Sequence, residues 1–239
     1  VIRRRDFVAG AASVAALSIV PRHVLGGAGQ TAPSEKLNIA GIGVGGMGRH
    51  NLSQVETENI VALCDVDHNY AAGTFKKYPG AKVHTDFREM LETQADIDAV
   101  VIATPDHTHA VISMAAIKAG KHVYCQKPLT HDVYEARALA DAAREAGVAT
   151  QMGIQGHSSE GVRQIYEWIN DGAIGKLKEI HNWSYRPVWE QWPVRPVDTP
   201  PVPEGFNWDL WLGPAPYRDY NICYQPFVWR GWKDFGNGA

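Results

Sequence analysis

Residues 37–48 read LNIAGIGVGGMG, a short apolar run that leads into a glycine-rich segment. The spacing of Gly43, Gly45 and Gly48 is G-x-G-x-x-G. In that pattern the first glycine permits a tight strand-to-helix turn, the second lets the backbone approach a pyrophosphate, and the third lets helix and strand pack closely. N–H groups at the start of the helix are donors for phosphate. The residues of this turn that we expect to contact a dinucleotide are Gly43, Gly45, Gly46, Met47 and Gly48.

An acidic residue follows at the spacing that this interpretation requires. The next apolar run, Ile60 to Cys64, ends at Asp65, about 20 residues beyond the motif, where the ribose-binding acid of such sites lies. A carboxylate there accepts hydrogen bonds from both ribose hydroxyls and repels a 2′-phosphate. We therefore expect NAD, with NADP less favoured. Capping of the following helix is the alternative role for Asp65, although Asp67 could cap that helix instead.

Apolar strands and helix-compatible segments alternate from residue 37 to residue 147. Strands are predicted near residues 82–84, 99–103 and 121–124, and helices near residues 67–78, 86–91, 107–119 and 130–146. Thr130 is expected to cap the last helix and Gly147 to end it. Such alternation indicates a parallel sheet covered on both faces. We predict an α/β fold: a Rossmann-type doubly wound parallel sheet in residues 36–150, followed by an incomplete α+β substrate domain in residues 151–239.

Two segments beyond the carboxyl ends of the predicted strands are the candidate site, because ligands of such sheets bind there. They are residues 104–109, TPDHTH, and residues 125–128, CQKP. His107 and His109 alternate as metal ligands on a strand would, but the sequence offers no matching cluster of cysteines, histidines or carboxylates. We predict no metal site. His109 is expected near the nicotinamide, and His107 is expected to be a helix-end or surface histidine.

These segments together resemble the Gfo/Idh/MocA family of sugar and polyol oxidoreductases over roughly residues 36–239. The resemblance is carried by the glycine motif, by TP followed by His109, and by residues 119–128, AGKHVYCQKP. It implies that Lys127 reaches both the substrate hydroxyl and the nicotinamide, with a cis peptide before Pro128. It also implies further cofactor contacts from Thr104, Pro105, His109 and Gln126.

One residue departs from the family pattern. Gln126 replaces a glutamate, and because an amide cannot act as a counter-ion, Lys127 has no adjacent carboxylate. The same Gln-Lys-Pro resembles exported branches of the family. A lysine beside the positively charged nicotinamide has its ammonium form disfavoured, so Lys127 can polarise or help to deprotonate a carbinol. The general base that the family implies, a histidine, is expected beyond residue 239.

Tryptophan is confined to the last third of the chain. The eight tryptophans are Trp168, Trp183, Trp189, Trp192, Trp208, Trp211, Trp229 and Trp232. Flat aromatic rings stack on the C–H faces of sugars, which suits a carbohydrate substrate, whereas the alternative is that most of them are core residues. Arg186 and Trp189 are the predicted substrate contacts in this part of the chain.

The first 35 residues have the layout of an export signal and linker. Residues 3–8, RRRDFV, precede an apolar run to Val20 that Pro21 closes. A run this short cannot span a bilayer, which needs about 20 residues. The paired arginines resemble a twin-arginine signal, which predicts export to the periplasm in folded form and no stable membrane insertion.

The composition excludes some partners. With a net charge of -3 and three scattered cysteines, the chain has no basic surface for nucleic acid and no disulfide framework. We expect the three cysteines to be small core residues.

The leading hypothesis is NAD-dependent hydride transfer from a secondary alcohol of a sugar or glycoside, in a full-length protein that forms homo-oligomers. The first alternative is a glycosidase or lyase that oxidises its substrate transiently with tightly bound NAD. The second alternative is a non-catalytic nucleotide-binding module. The chain itself is expected to be an N-terminal fragment, clipped before the substrate domain is complete.

Overall fold

The computed structural model describes residues 31–32, 35–185 and 194–238. Within them six parallel strands form one sheet in the order β3-β2-β1-β4-β5-β6. The strands are β1 Asn38–Ile42, β2 Asn59–Cys64, β3 Lys82–His84, β4 Ala99–Ile102, β5 His122–Gln126 and β6 Thr150–Gly153. This order is that of the Rossmann fold, and it confirms the predicted fold class. The order reverses between β1 and β4, which places the ligand crevice at the carboxyl ends of those strands.

Helices connect the strands and cover both faces of the sheet. The helices of the described residues are α1 Met47–Ser53, α2 His68–Lys77, α3 Phe87–Thr93, α4 Asp106–Lys118, α5 Val133–Ala146, α6 Glu160–Asn170 and α7 Trp208–Leu212. Short 3-10 turns lie at Gln155–Ser158, Ile222–Tyr224 and Val228–Gly231. One apolar cluster packs α3, α4 and α5 on the sheet, and a second packs α1 and α2. Cys64 and Cys125 lie in the first cluster as small core residues, as expected.

The helix caps follow local sequence rules, with one correction. Asp67 caps α2 by accepting a hydrogen bond from the Tyr70 N–H at 2.9 Å. The prediction that Thr130 caps α5 is wrong, because Asp132 and Glu135 form a capping box there. Asp132 has an acid three residues later that can reach back to it, and Thr130 does not. Gly147 ends α5 in the left-handed conformation with φ 66°, as expected.

The C-terminal residues build a separate aromatic cluster, and four of its rings are tryptophans. The buried members of this cluster are Phe206, Trp208, Trp211, Leu212, Tyr220, Cys223, Tyr224, Trp229, Trp232 and Phe235. These four tryptophans are therefore core residues, which was the alternative to a sugar-binding role. Trp168 and Trp183, in contrast, are exposed. Predicted sugar contacts at Arg186 and Trp189 lie outside the described residues, as do residues 1–30 of the predicted signal.

The described residues from Leu37 onward form one compact unit, the second of two along the chain. The second unit contains both the sheet and the aromatic cluster, and the boundary predicted between residues 150 and 151 falls inside β6. Among the residues that the structure describes, no helix is long and apolar enough to cross a bilayer. No group of three or more metal-binding side chains occurs in that part of the chain either.

Candidate dinucleotide site

The turn after β1 requires glycine at two positions for packing reasons. Gly43 has φ 77°, and a Cβ atom on it would lie 2.7 Å from the Thr104 Cγ2 atom. A Cβ atom on Gly48 would overlap the carbonyl oxygen of Gly43. These two glycines therefore let the start of α1 close against β1 and against the end of β4, as the motif predicts.

Gly45 has a neighbour that the sequence motif did not indicate. A Cβ atom on Gly45 would overlap the ring of Tyr70, whose hydroxyl would lie 2.9 Å from a Cβ atom on Gly46. Tyr70 belongs to α2 and is 46% exposed, so its ring lies across the outer face of the glycine turn at the rim of the crevice. The absence of a side chain at Gly45 thus makes room for an aromatic ring of the protein.

Asp65 lies against the same turn and is held by backbone N–H groups. Its Oδ2 atom accepts hydrogen bonds from the Val44 N–H at 2.7 Å and the Gly45 N–H at 3.1 Å. Its Oδ1 atom accepts one from the Asp67 N–H at 3.0 Å. A carboxylate has about four lone-pair positions, so one further donor can bind without displacing a backbone group. If both ribose hydroxyls donate to Asp65, as the motif predicts, one of its three hydrogen bonds from backbone N–H groups has to break.

Burial raises the pKa of Asp65 to about 6, and the three backbone N–H groups partly oppose this shift. The negative charge of Asp67 acts in the same direction as burial. The carboxylate is therefore ionised at neutral pH, but it gains a proton in a mildly acidic solution.

A crevice of about 560 Å³ opens at the carboxyl ends of the strands. Its walls include these predicted cofactor residues: Gly43, Gly45, Gly46, Met47, Asp65, Thr104 and Pro105. Gly48 lies beneath the glycine turn and does not line the crevice. His109 and Gln126 are buried and do not line it either. Lys127 is exposed at the end of β5 and does not line this crevice.

The opposite wall of the crevice comes from the C-terminal segment, residues 203–237. Its lining residues include Pro203, Leu210, Trp211, Tyr220, Phe227 and Arg230. Phe227 has φ 63°, an unusual conformation for a residue with a bulky side chain. The Arg230 guanidinium lies 4.1 Å from the centre of the Trp229 ring, a cation–π contact at the crevice.

One end of this segment is attached to the loop that follows Asp65. The Asn207 N–H donates to the Val66 carbonyl at 2.8 Å, and the His68 N–H donates to the Gly205 carbonyl at 2.9 Å. Asp67 and Phe206 form an antiparallel β-bridge between these two contacts. The start of the segment is therefore held by backbone hydrogen bonds beside the expected ribose-binding acid.

The other end is attached to α4 through His107, which is 2% exposed. Its Nε2 atom lies 2.9 Å from the Trp211 carbonyl oxygen, and its Nδ1 atom lies 3.3 Å from that of Phe235. Burial lowers the pKa of His107 to about 4, so the neutral ring donates to one of these oxygens at a time. His107 is at a helix end, as expected, but it is a core residue that joins α4 to the aromatic cluster.

His109 connects the two strand ends of the candidate catalytic region. Its Nδ1 atom lies 2.7 Å from the Pro128 carbonyl oxygen, and its Nε2 atom lies 2.8 Å from that of Thr104. The ring is 1% exposed, and burial lowers its pKa. With both nitrogens against backbone oxygens, the geometry favours a role in holding the β4 and β5 ends together, and the direct cofactor contact stays a prediction.

The peptide bond between Lys127 and Pro128 is cis, as expected. Gln126, just before it, is 5% exposed, and its Nε2 atom has no hydrogen-bond partner among the described residues. A Cβ atom on Gly153 would lie 2.8 Å from that Nε2 atom, so β6 packs directly against the amide.

Sequence reasoning missed the residues that reach the crevice from distant parts of the chain. Tyr70, Trp211 and Arg230 carry no local signal for this role, because only the tertiary fold brings them to the glycine turn.

Comparisons with known proteins agree with this geometry. Residues 37–154 match the profile of the Gfo/Idh/MocA family, described as an oxidoreductase family with an NAD-binding Rossmann fold. The family resemblance read from the sequence is thereby supported for residues 37–154, which contain the six-stranded sheet.

Individual relatives are dehydrogenases and reductases of small molecules. Levoglucosan dehydrogenase of Pseudarthrobacter phenanthrenivorans is 28% identical over 174 residues, which are 68% of this chain and 44% of that protein. Myo-inositol 2-dehydrogenase of Lactobacillus plantarum has 27% identity and a TM-score of 0.54, covering 59% of this chain and 43% of that chain. A 3-ketoreductase variant of Actinomadura kijaniata, solved with TDP-benzene and NADP, has 26% identity and a TM-score of 0.54. The match covers 59% of this chain and 44% of that chain. The chain thus spans less than half the length of these relatives.

Proposed function

We propose that the whole protein is a nicotinamide-dependent oxidoreductase that acts on a secondary alcohol of a sugar, polyol or glycoside. The observation that carries this proposal is the arrangement at the carboxyl ends of the strands. A glycine turn and an acidic residue form one side of a crevice after β1 and β2, and Lys127 follows β5 at the same edge of the sheet. Dehydrogenases of sugars and polyols among the relatives support the same substrate class.

The crevice fits a nicotinamide dinucleotide. Its volume of about 560 Å³ is within the range of ligand pockets. Gly45 and Gly46 carry no side chains of their own, and the half-exposed Tyr70 ring that lies against them has to swing away for a pyrophosphate to approach their backbone closely. Asp65 has a remaining lone pair for a ribose hydroxyl. When bound, the nicotinamide supplies the hydride acceptor.

We infer a preference for NAD over NADP. Asp65, Asp67 and Asp86 all line the crevice, and the motif assigns the adenosine ribose to the acid at residue 65. A 2′-phosphate would bring two negative charges towards these carboxylates, which is unfavourable. NADP is nevertheless present in one structural relative, so competitive binding of the two nucleotides is the decisive comparison.

Lys127 is the residue that we place at the reacting alcohol. Its ammonium group donates a hydrogen bond to the alcohol oxygen and stabilises the negative charge that develops there as hydride leaves. The proton of the alcohol passes to a base, which the family resemblance predicts to be a histidine beyond residue 239. Arg186 and Trp189 remain predicted sugar contacts.

Binding of NAD should depend on pH through Asp65. Because burial raises its pKa to about 6, the ionised form that accepts from ribose is lost as pH falls through that value. We expect a constant Kd above about pH 7 and weakening towards tenfold per pH unit below about pH 6. Titration of tryptophan fluorescence with NAD from pH 5 to pH 8 measures this. Asp65→Asn, which cannot ionise, should bind weakly with a flat profile; an unchanged slope in this variant would show that another group titrates.

The function is tested on the full-length protein. Mass spectrometry of small molecules released on denaturation should detect NAD or NADH, and incubation with inositols, levoglucosan and glucosides should yield a keto product. Absence of bound nucleotide together with no binding of added NAD or NADP would refute the proposal.

A second candidate function is a glycosidase or lyase that oxidises its substrate transiently and then restores the cofactor. The observation that favours it is the C-terminal wall of the crevice, which is attached on both sides of the nucleotide site and would slow cofactor release. The two functions differ in the product, because transient oxidation leaves no net redox change. Cleaved glycoside with no accumulated NADH and no keto product would favour this candidate.

We also propose export of the folded protein by the twin-arginine route and assembly into homo-oligomers. The paired arginines before the apolar run support export. Replacing Arg4 and Arg5 with lysine should retain the full-length protein in the cytoplasm, whereas the unchanged protein should be recovered from the periplasmic fraction.

A further inference from the structure

The Tyr70 side chain lies over the part of the glycine turn that a phosphate group would contact. A Cβ atom on Gly45 would overlap its ring, and a Cβ atom on Gly46 would lie 2.9 Å from its hydroxyl oxygen. Gly45 is the position of the motif at which a bound dinucleotide brings its pyrophosphate close to the backbone. The ring and a pyrophosphate therefore compete for the same space.

The glycine turn is fixed on two sides and cannot move away from the ring. The N–H groups of Val44 and Gly45 donate to the Asp65 Oδ2 atom at 2.7 and 3.1 Å. On its other side the turn packs against the end of β4, since a Cβ atom on Gly43 would lie 2.7 Å from the Thr104 Cγ2 atom. A shift of the turn would break these hydrogen bonds or this packing.

Helix α2, which carries Tyr70, is fixed as well. The Tyr70 N–H donates to the Asp67 Oδ1 atom at 2.9 Å, which holds the first turn of the helix. One turn further along lies Thr74, which is 1% exposed, and its hydroxyl donates to the Val44 carbonyl at 2.7 Å. This buried hydrogen bond joins α2 directly to the glycine turn. Only rotation of the Tyr70 side chain can therefore uncover the turn.

The Tyr70 side chain is in a position to rotate. It is 46% exposed and lines the crevice. Exposed side chains change rotamer within picoseconds to nanoseconds, which is faster than a ligand meets the protein. The ring therefore exchanges between a closed position against Gly45 and an open position in solvent before each binding event.

We propose that Tyr70 is a gate over the pyrophosphate subsite and that it weakens the binding of ligands with a phosphate at this position. Only molecules with the ring open bind such a ligand, so the apparent Kd exceeds the intrinsic Kd by the inverse of the open fraction. Ligands that occupy the Asp65 end of the crevice without a phosphate do not require the ring to move. This inference rests on the proposed binding of a dinucleotide, and it identifies a residue that determines selectivity among nucleotides and nucleosides.

The test compares ADP with adenosine, which differ in the diphosphate group, by titration calorimetry on the full-length protein. In Tyr70→Ala, which removes the ring, the Kd for ADP should fall about tenfold, the factor for a ring that is open in about a tenth of the molecules. The Kd for adenosine should not change. Tyr70→Ser is a second ring-removing variant should the alanine protein not fold, and the same result is expected for it.

Two control variants separate the ring from general effects of substitution. Tyr70→Phe keeps an aromatic ring against Gly45 and should bind ADP as the unchanged protein does. Tyr134→Ala removes a tyrosine at the start of α5 that is 80% exposed and does not line the crevice. Both Kd values should stay the same in this second variant.

Binding kinetics provide an independent readout. Because the ring exchanges faster than ligands bind, the gate lowers kon by the open fraction and leaves koff unchanged. Stopped-flow tryptophan fluorescence with NAD should therefore show a kon about tenfold higher in Tyr70→Ala, with an equal koff.

The outcomes distinguish the gate from the proposed function. An equal or higher Kd for ADP in a folded ring-removing variant would overturn the gate, and so would an equal gain in affinity for adenosine. Weaker binding of both ligands would show that the ring is part of the binding surface. Failure of the unchanged protein to bind either ADP or NAD would refute the proposed function, and the gate with it.

Discussion

Gly48→Ala is expected to weaken NAD binding about 100-fold and to lower the free energy of unfolding by about 3 kcal/mol. A Cβ atom at residue 48 would overlap the carbonyl oxygen of Gly43, which is backbone and cannot rotate away. Gly43 itself has φ 77° and is packed against Thr104, so the turn cannot shift towards β4. The start of α1 would have to move away from the phosphate site. Titration calorimetry with NAD and urea unfolding measure the two effects.

Gly73→Ala is the matched control, because it makes the same chemical change in the same domain. Gly73 lies in the interior of α2 on an exposed face, and a Cβ atom there would be 3.6 Å from the Arg49 Nη1 atom, an ordinary contact. Alanine favours a helix over glycine by about 0.5–1 kcal/mol. We expect this variant to be slightly more stable and to bind NAD normally. Equal behaviour of the two variants would show that the close contact at Gly48 has no functional consequence.

Lys127→Met is expected to lower kcat about 10²–10³-fold in the full-length protein while NAD still binds. Methionine has a similar length and apolar stem but cannot donate to the alcohol oxygen, so charge developing there loses its stabilising partner. Lys127 does not line the 560 Å³ crevice, which is why nucleotide binding should be retained. Stopped-flow measurement of NADH formation and titration with NAD separate the two steps.

Lys121→Met is the control for this substitution. Lys121 precedes β5 and Lys127 follows it, so the two lysines lie at opposite ends of one strand. The Nζ atom of Lys121 donates to the Ala95 carbonyl at 3.0 Å, far from the ligand edge of a parallel sheet. Turnover should be unchanged in Lys121→Met. A Lys127→Met protein with normal kcat would mean that another residue holds the alcohol.

The fold of the nucleotide domain could be predicted because its signals are local. Apolar strands of a parallel sheet are recognised by composition, and the turn between β1 and α1 needs glycine at fixed spacing for steric reasons. The cis peptide at Pro128 followed from the family resemblance rather than from the residues themselves. The wrong prediction that Thr130 caps α5 also concerned a local signal. Asp132 with Glu135 offers two reciprocal hydrogen bonds at the start of that helix, and Thr130 offers one.

The aromatic segment was harder to interpret, because tryptophan suits both a sugar-binding surface and a core. Trp208 and Trp211 stack with ring centres 4.7 Å apart, and Trp211 also contacts His107 of α4. The buried Arg218 guanidinium lies 4.8 Å from the centre of the Phe235 ring and pairs with Asp234. The contact between His107 and Trp211 joins residues 104 positions apart along the chain, and composition alone cannot reveal it.

The sequence by itself determined the doubly wound sheet, the glycine turn, the acid at the end of β2 and the lysine after β5. Each of these depends on a short stretch of chain whose backbone geometry or burial admits few residue types. Only the tertiary structure decided what closes the crevice. The C-terminal segment reaches the site through long-range packing and backbone hydrogen bonds, which depend on the arrangement of whole elements rather than on any local pattern.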